Sequence, residues 1–234
     1  MKQTKTRKTQ YVLKQIAHME NDFTGKFGIP RQSGLASSVK SRIVFEPEYR
    51  NPDALKGLEE FSHIWLIWQF SESVREDFSP TVRPPKLGGN ERKGVFATRS
   101  PFRPNALGLS SVKLEEILRD DPDGPVLLVS GADLMNGTPI YDIKPYIPYA
   151  DIHADASEGF TAYTDQKTLK VRFETEFPDT FPEEKKQALQ EILSQDPRPA
   201  YQRDPERIYG CSYAGYEVRF RVREEVLTVV QVTK

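Results

Sequence analysis

The sequence predicts a mainly β protein, with a β-rich barrel or sandwich over residues 11–150 and a small α+β unit over residues 167–234. Three observations carry that expectation. β-branched and aromatic segments recur between clusters of Gly, Pro, Asn and Asp. Strong helical stripes are too few to alternate with those strands, as a doubly wound sheet requires. Hydrophobic residues are 37% and charged residues 29% of 234, enough apolar side chain for a core and too much for a disordered chain.

Residues 1–10 carry Lys2, Lys5, Arg7 and Lys8 with no acid and no apolar period, and read as a mobile basic tail. Strands are expected at Tyr11–Ala17, Arg42–Phe45, Ile64–Phe70, Ser111–Ile117 and Val126–Ser130, with Trp65, Leu66 and Ile67 as core. One short helix is expected after Asn51: Asn51 can cap it, Pro52 suits its first position, and Ala54, Leu55, Leu58 and Phe61 share a face. Residues 151–166 are polar and aperiodic, a linker. Beyond it Leu169, Val171, Phe173 and Phe177 alternate with Lys170, Arg172 and Glu174 as a half-buried strand. A helix follows, with Thr180 to cap it, Pro182 to open it and the stripe Ala188, Leu189, Ile192 and Leu193; Asp196-Pro197 ends it. Tyr216–Val222 and Val226–Val232 form a hairpin. At about 65 residues this last unit is marginal by itself and is expected to pack on the first.

Composition removes several function classes. The formal charge is −1, so contact with nucleic acid needs a local patch. The best apolar run, Ile64–Trp68, falls far short of the roughly 20 residues of a membrane span. The basic N-terminus has no apolar stretch behind it and is not a secretory signal. One cysteine, Cys211, excludes disulfide frameworks and multi-cysteine metal motifs, and His18, His63 and His153 are too dispersed for a local metal motif. Neither glycine-rich nucleotide cradle is present, nor a serine nucleophile elbow. A soluble cytoplasmic protein without a metal or a membrane partner is the expectation.

Four segments hold residues that folding alone explains poorly. Gly28–Gly34 offers Arg31, Gln32 and Ser33 from a loop framed by glycine and proline, although an ordinary polar turn has the same composition. Phe61–Ser71 is the most hydrophobic strand. His63 at its start is a possible base or simply a satisfied buried histidine, and Phe70-Ser71 sit at its end. Arg83–Asn105 contains Arg83, Lys86, Arg92, Lys93, Arg99 and Arg103 against Glu91 alone, a field that draws phosphates. Its Phe102 can stack on bases between two guanidinium groups, or the segment is merely a solvated loop. The fourth, Ser130–Pro139 continuing to Tyr146, releases Asp133 and Asn136 at a strand end, where a tight turn also explains Gly137.

Together, Phe27–Gly34, Val82-Arg83-Pro84-Pro85 with Leu87–Asn90, Gly94–Asn105 and Asp142–Tyr146 resemble the signatures of the TsaA-like (YaeB, TrmO) family. Asp196-Pro197-Arg198-Pro199-Ala200-Tyr201 is similar to the D-P-R-P-x-Y motif of its bacterial members. The resemblance spans residues 11–234 in order. It implies a β-barrel, non-Rossmann methyltransferase that acts as a homodimer. It also implies an activity: S-adenosylmethionine-dependent methylation of N6 of N6-threonylcarbamoyladenosine at position 37 of tRNA. The resemblance further implies a cofactor site among Arg31, Gln32, Ser33, Phe70, Ser71, Arg99, Leu109 and the turn Gly131, Ala132, Asp133, Leu134, Met135 and Asn136. The family often has proline where Ser33 stands. Arg198 and Tyr201 are implied to meet tRNA or the modified base.

The chemistry adds one requirement. N6 lies between a purine and a carbamoyl carbonyl, so its lone pair is delocalised and its proton must leave before or during attack. Asp133, Asp142 and His63 are the candidate bases, unranked, with water or the substrate's own carboxylate as alternatives. Arg83, Lys86, Arg92, Lys93 and Arg103, with Arg198, Arg203 and Arg207, would grip phosphates, and Tyr201 would stack. Two other readings stay open: a module that binds S-adenosylmethionine or RNA without catalysis, and a phosphoester enzyme built on the basic loops.

Overall fold

The computed structural model describes residues 11–75, 77–87, 91–164, 167–198 and 204–234, and of Lys86 only the backbone. The basic tail, Tyr201 and Arg203 lie outside them. Six strands close into an antiparallel barrel: β1 (Ala17–Glu20), β2 (Lys40–Phe45), β3 (His63–Gln69), β6 (Leu107–Leu118), β7 (Val126–Ser130) and β8 (Pro139–Pro145), in the spatial order β1-β2-β7-β6-β3-β8. The barrel form expected from the family resemblance is thus the one observed. Two short strands, β4 (Thr81–Val82) and β5 (Lys93–Gly94), pair beside it.

Alternation along β3 shows why the chain closes this way. Ile64, Leu66 and Trp68 are buried, whereas His63, Trp65, Ile67 and Gln69 point outward. Ile64 and Leu66 are fully buried, and burial of each such side chain stabilises the barrel by about 1.5–3 kcal/mol. Trp65 and Ile67 are therefore not core, contrary to expectation, because a barrel strand has one interior face. The Trp65 indole N–H instead donates to Asp151 Oδ2 at 3.0 Å, and its ring lies 5.4 Å from Tyr146.

Other elements differ for local reasons. The first strand begins at Ala17; Tyr11, Val12 and Leu13 before it are exposed. The helix expected after Asn51 is two 3-10 turns, Pro52–Leu55 and Leu58–Glu60, parted by Gly57 at φ +86°. Asn51 does cap the first, accepting from the Asp53 N–H. β8 was hidden by its bounding prolines, and β10 (Tyr209–Tyr213) by an internal glycine.

The C-terminal sheet runs β10-β11-β12-β9, with β11 (Tyr216–Arg223) and β12 (Val226–Thr233) as the expected hairpin and β9 (Lys170–Phe173) parallel to β12. After the four-residue α1 (Pro148–Asp151), α2 (Lys186–Ser194) is the one longer helix among the described residues. It lays Ala188, Leu189, Ile192 and Leu193 on the sheet. Thr180 does not cap it; its hydroxyl accepts from Tyr216. This second core also takes in Phe23, Ala36 and Val39 from residues 21–39, the long connection between β1 and β2. The two units thus share a segment of chain rather than merely touching.

Candidate active site

That shared loop also zips to the turn that follows β7. Asn136 N–H donates to Phe23 O at 2.9 Å, Asn21 Nδ2 donates to Leu134 O at 2.8 Å, and Gly34 N–H donates to Gly131 O at 2.8 Å. Gly34 and Gly131 meet back to back, both at positive φ, and a Cβ on Gly131 would come within 3.2 Å of Gly34 Cα. A Cβ on Gly34 would meet nothing, so the crowding is at Gly131, while both positions favour glycine through their positive φ. The Arg31-Gln32-Ser33 loop is thereby set over Asp133.

A cavity of about 530 Å³ opens at this end of the barrel, within the usual range for small-molecule sites. Arg31, Gln32, Phe70, Ser71, Arg99, Arg103, Leu109, Asp133 and Met135 all line it, and they come from five separate stretches of sequence. Trp68, Phe70, Leu109 and Met135 supply apolar wall. Trp68 packs against Phe70 with ring centroids 4.2 Å apart. It also covers Gly108 so closely that a Cβ there would lie 2.2 Å from the indole.

Asp133 is the cavity's half-buried carboxylate. Trp68 Nε1 donates to Ser110 Oγ at 3.0 Å, and the Ser110 hydroxyl donates to Asp133 Oδ1 at 2.6 Å. Burial pushes the Asp133 carboxyl up from its ordinary value. Hydrogen bonds from Ser110 and from backbone N–H groups, with the charge of Arg99, pull the other way and do not cancel it. A carboxylate in that state accepts a proton more readily than an exposed one. Ser110, at 2% exposure, and Trp68 were missed in the sequence; a serine at an inward-facing position of an alternating strand was the available signal.

The cations divide by what already occupies them. Arg31 donates to the carbonyls of Asp196 and Arg198 at 3.3 and 3.2 Å, and Arg99 donates to Gln32 Oε1. Arg103 reaches back to the carbonyls of Thr98 and Ser100 and holds its own loop. Arg92 donates to Thr81 Oγ1, and Lys93 pairs with Glu91. Arg83 is exposed away from the cavity lining. Arg198 is bound at both ends of its fork by Asp196, at 2.8 and 2.9 Å, so its guanidinium is engaged within the chain. Phe102 lies under Arg75, 3.8 Å from the ring centroid; the exposed ring in this loop is Phe96, at 73%, a residue the sequence did not single out.

Several expected site residues fall elsewhere. His63 is exposed, bonded to Ser62, and begins β3 about 20 Å along the strand from Gln69. Asp142 faces a different groove and pairs with Lys144 at 2.9 Å. Neither lines the cavity, because barrel strands carry their two ends to opposite rims. Gly131, Ala132 and Leu134 are buried behind the cavity, and exposed Asn136 accepts from Asn21 N–H. Ser33 meets Asp133 through its backbone N–H, outside the lining.

Known proteins match this arrangement over both units. The tRNA-methyltransferase O N-terminal domain matches residues 18–152, and the TrmO C-terminal domain matches residues 166–234. The chain is 38% identical to the tRNA (adenine(37)-N6)-methyltransferase of Escherichia coli K12, covering 92% of this chain and 95% of that protein. It is 43% identical to the protein of the same name from Eikenella corrodens, over 74% of this chain and 97% of that one. A crystal structure of TrmO superposes with a TM-score of 0.78 at 31% identity, covering 97% of this chain and all of the other. With barrel, C-terminal sheet and sequence all matched along nearly the whole length, the chain belongs to the TrmO family of tRNA methyltransferases.

Proposed function

We propose that this chain methylates N6 of adenosine 37 in tRNA with S-adenosylmethionine as donor, and that the adenosine it takes carries the N6-threonylcarbamoyl group. The observation that carries the reading is a half-buried carboxylate, Asp133, raised by desolvation, at the base of a cavity with apolar walls and a cationic rim. The fit to the cofactor is chemical. Trp68, Phe70, Leu109 and Met135 suit a purine and a thioether, and Arg31 and Arg99 suit a carboxylate. Bound S-adenosylmethionine supplies a methyl group already activated on a sulfonium, which leaves alignment, exclusion of water and removal of one proton to the protein.

In this reading Arg31, Gln32 and Arg99 fix the donor's charged end while the apolar wall excludes water. Asp133 takes the N6 proton, its basicity raised by burial and its orientation fixed by Ser110. Anticodon-loop bases are already partly unstacked, so bringing one into the cavity costs less than extruding one from a duplex. Arg83 and Phe96 offer an exposed charge and an exposed ring for neighbouring nucleotides, with Lys86, Arg92, Lys93, Arg103, Tyr201 and Arg203 as further phosphate or base contacts. Residues 167–234 serve as the unit that supports this edge, and two copies pair as a homodimer.

Methylation of tRNA with and without the threonylcarbamoyl group, using labelled donor, tests the reading. Label is expected in the modified tRNA alone. Equal labelling of both would overturn the substrate; donor binding with no transfer to either would leave a binding module.

A further inference from the structure

The loop at residues 21–39 is held at its start, tip and end by one continuous stretch of the C-terminal unit, residues 185–198. At the start, Lys185 Nζ bonds Asp22 at 2.7 Å. At the tip, Arg31 donates to the carbonyls of Asp196 and Arg198. At the end, the Glu191 carboxylate accepts both donors of Ser38, the backbone N–H at 2.8 Å and the hydroxyl at 2.6 Å. Gln187 Nε2 donates to the same carboxylate at 3.2 Å and holds it in place along α2. Between these points Phe23, Ala36 and Val39 are buried in the C-terminal core. Nothing in the reaction requires α2 to touch a ligand, and Glu191 and Lys185 do not line the cavity.

We propose that Glu191, with Lys185, is a positioning residue for the cofactor. Lys185, just before α2, and Glu191 within it fix the two feet of the loop so that Arg31 and Gln32 are presented to the cavity before the donor arrives. A ligand that meets a preformed loop does not lose affinity to ordering it. The inference rests on the cofactor assignment above and adds a residue some distance from the ligand that sets its affinity.

The test uses the full chain, with calorimetry against S-adenosylmethionine, amide exchange and thermal unfolding on the same samples. Glu191→Ala is expected to raise the cofactor Kd about tenfold, the share of a lost charge-assisted hydrogen bond felt at the site. It should speed exchange at residues 31–34 while leaving β3 and β6 unchanged. In turnover the KM for the cofactor should rise with kcat kept within about twofold, as loss of binding shared by the ground and transition states requires. Glu191→Gln should recover most of the affinity, since its amide oxygen accepts one Ser38 donor and its NH₂ can donate to the hydroxyl. Ser38→Ala should be no worse in combination with Glu191→Ala than the latter alone, because both remove one interaction. If Glu191→Ala fails to fold, Ser38→Ala carries the measurement, with a severalfold rise in cofactor Kd expected from loss of the hydroxyl bond to Glu191. Alanine variants that lower the unfolding midpoint yet bind the cofactor as the parent does overturn the inference and leave the function standing. A parent chain that binds no S-adenosylmethionine overturns both.

Discussion

The two ends of the barrel carry similar raw material and differ in what surrounds it. Each has a cavity, and the two are of comparable size, about 690 Å³ away from the site and about 530 Å³ at it. Each displays an aspartate from the segment between β7 and the end of β8. Asp142 is 44% exposed, bonded to Ile143 N–H and paired with Lys144. Asp133 is bonded to a buried serine beneath a tryptophan, and its carboxyl is pushed up by burial. Size therefore does not mark the site. What marks it is a charge drawn partly out of water without a lysine or arginine in bonding contact among the described residues, an arrangement costly for stability and useful for chemistry.

The largest effect expected from this contrast is at the carboxylates. Asp133→Asn should lower methyl transfer to tRNA by about 10²–10⁴-fold, the usual contribution of a positioned base. Asp142→Asn should stay within about twofold. Radiolabel transfer to tRNA at saturating donor measures both, and equal losses would erase the distinction between the two ends.

Next comes the wall. Gly108→Ala forces a methyl into the Trp68 indole and should destabilise the barrel by about 1–3 kcal/mol in urea unfolding, as overpacking does. It should also displace Ser110 from Asp133. A variant of undiminished stability would mean that Trp68 is free to move.

Smaller shifts are expected at the arginines. Arg99→Ala should weaken cofactor binding by about tenfold, since it removes one charged contact. Read from sequence alone, Arg198 is a tRNA contact whose loss leaves cofactor affinity intact. Bonded as it is to Asp196, with its carbonyl accepting from Arg31, Arg198→Ala should disturb both ligands, tRNA turnover and cofactor Kd together. An unchanged cofactor Kd would restore the simpler role.

The smallest is a dependence on pH. The Asp133 carboxyl titrates higher in the folded chain than in the unfolded one, so its ionisation costs stability as pH rises through that interval. Asp133→Asn should therefore raise the unfolding midpoint at neutral pH, and the gain should vanish below the ordinary carboxylate range of about 4. A midpoint difference that does not change with pH would assign the effect to packing instead.

Much of the fold was legible. β2, β3, β7, the C-terminal hairpin and the stripe of α2 follow from alternation and periodicity, which are local properties of the chain. Besides the two-residue strands β4 and β5, the strands that escaped, β8 and β10, are those whose prolines and glycine break local propensity, and pairing partners supply what propensity lacks. The candidate site was legible as composition: Arg31, Gln32, Phe70, Arg99, Leu109 and Asp133 were singled out and do converge. Ser110 and Glu191 were not, because a polar residue in a strand or helix announces nothing until its partner is known.

Sequence by itself determined the strand-rich class, the amphipathic stripes and the family, since each resides in neighbouring residues or in ordered motifs. Tertiary structure alone decided which aspartate is pushed up by burial, and that Arg31 answers to carbonyls 165 and 167 residues away. Burial and long-range pairing arise when the barrel closes and α2 docks on the loop, and no local pattern of side chains encodes which strand end will face which.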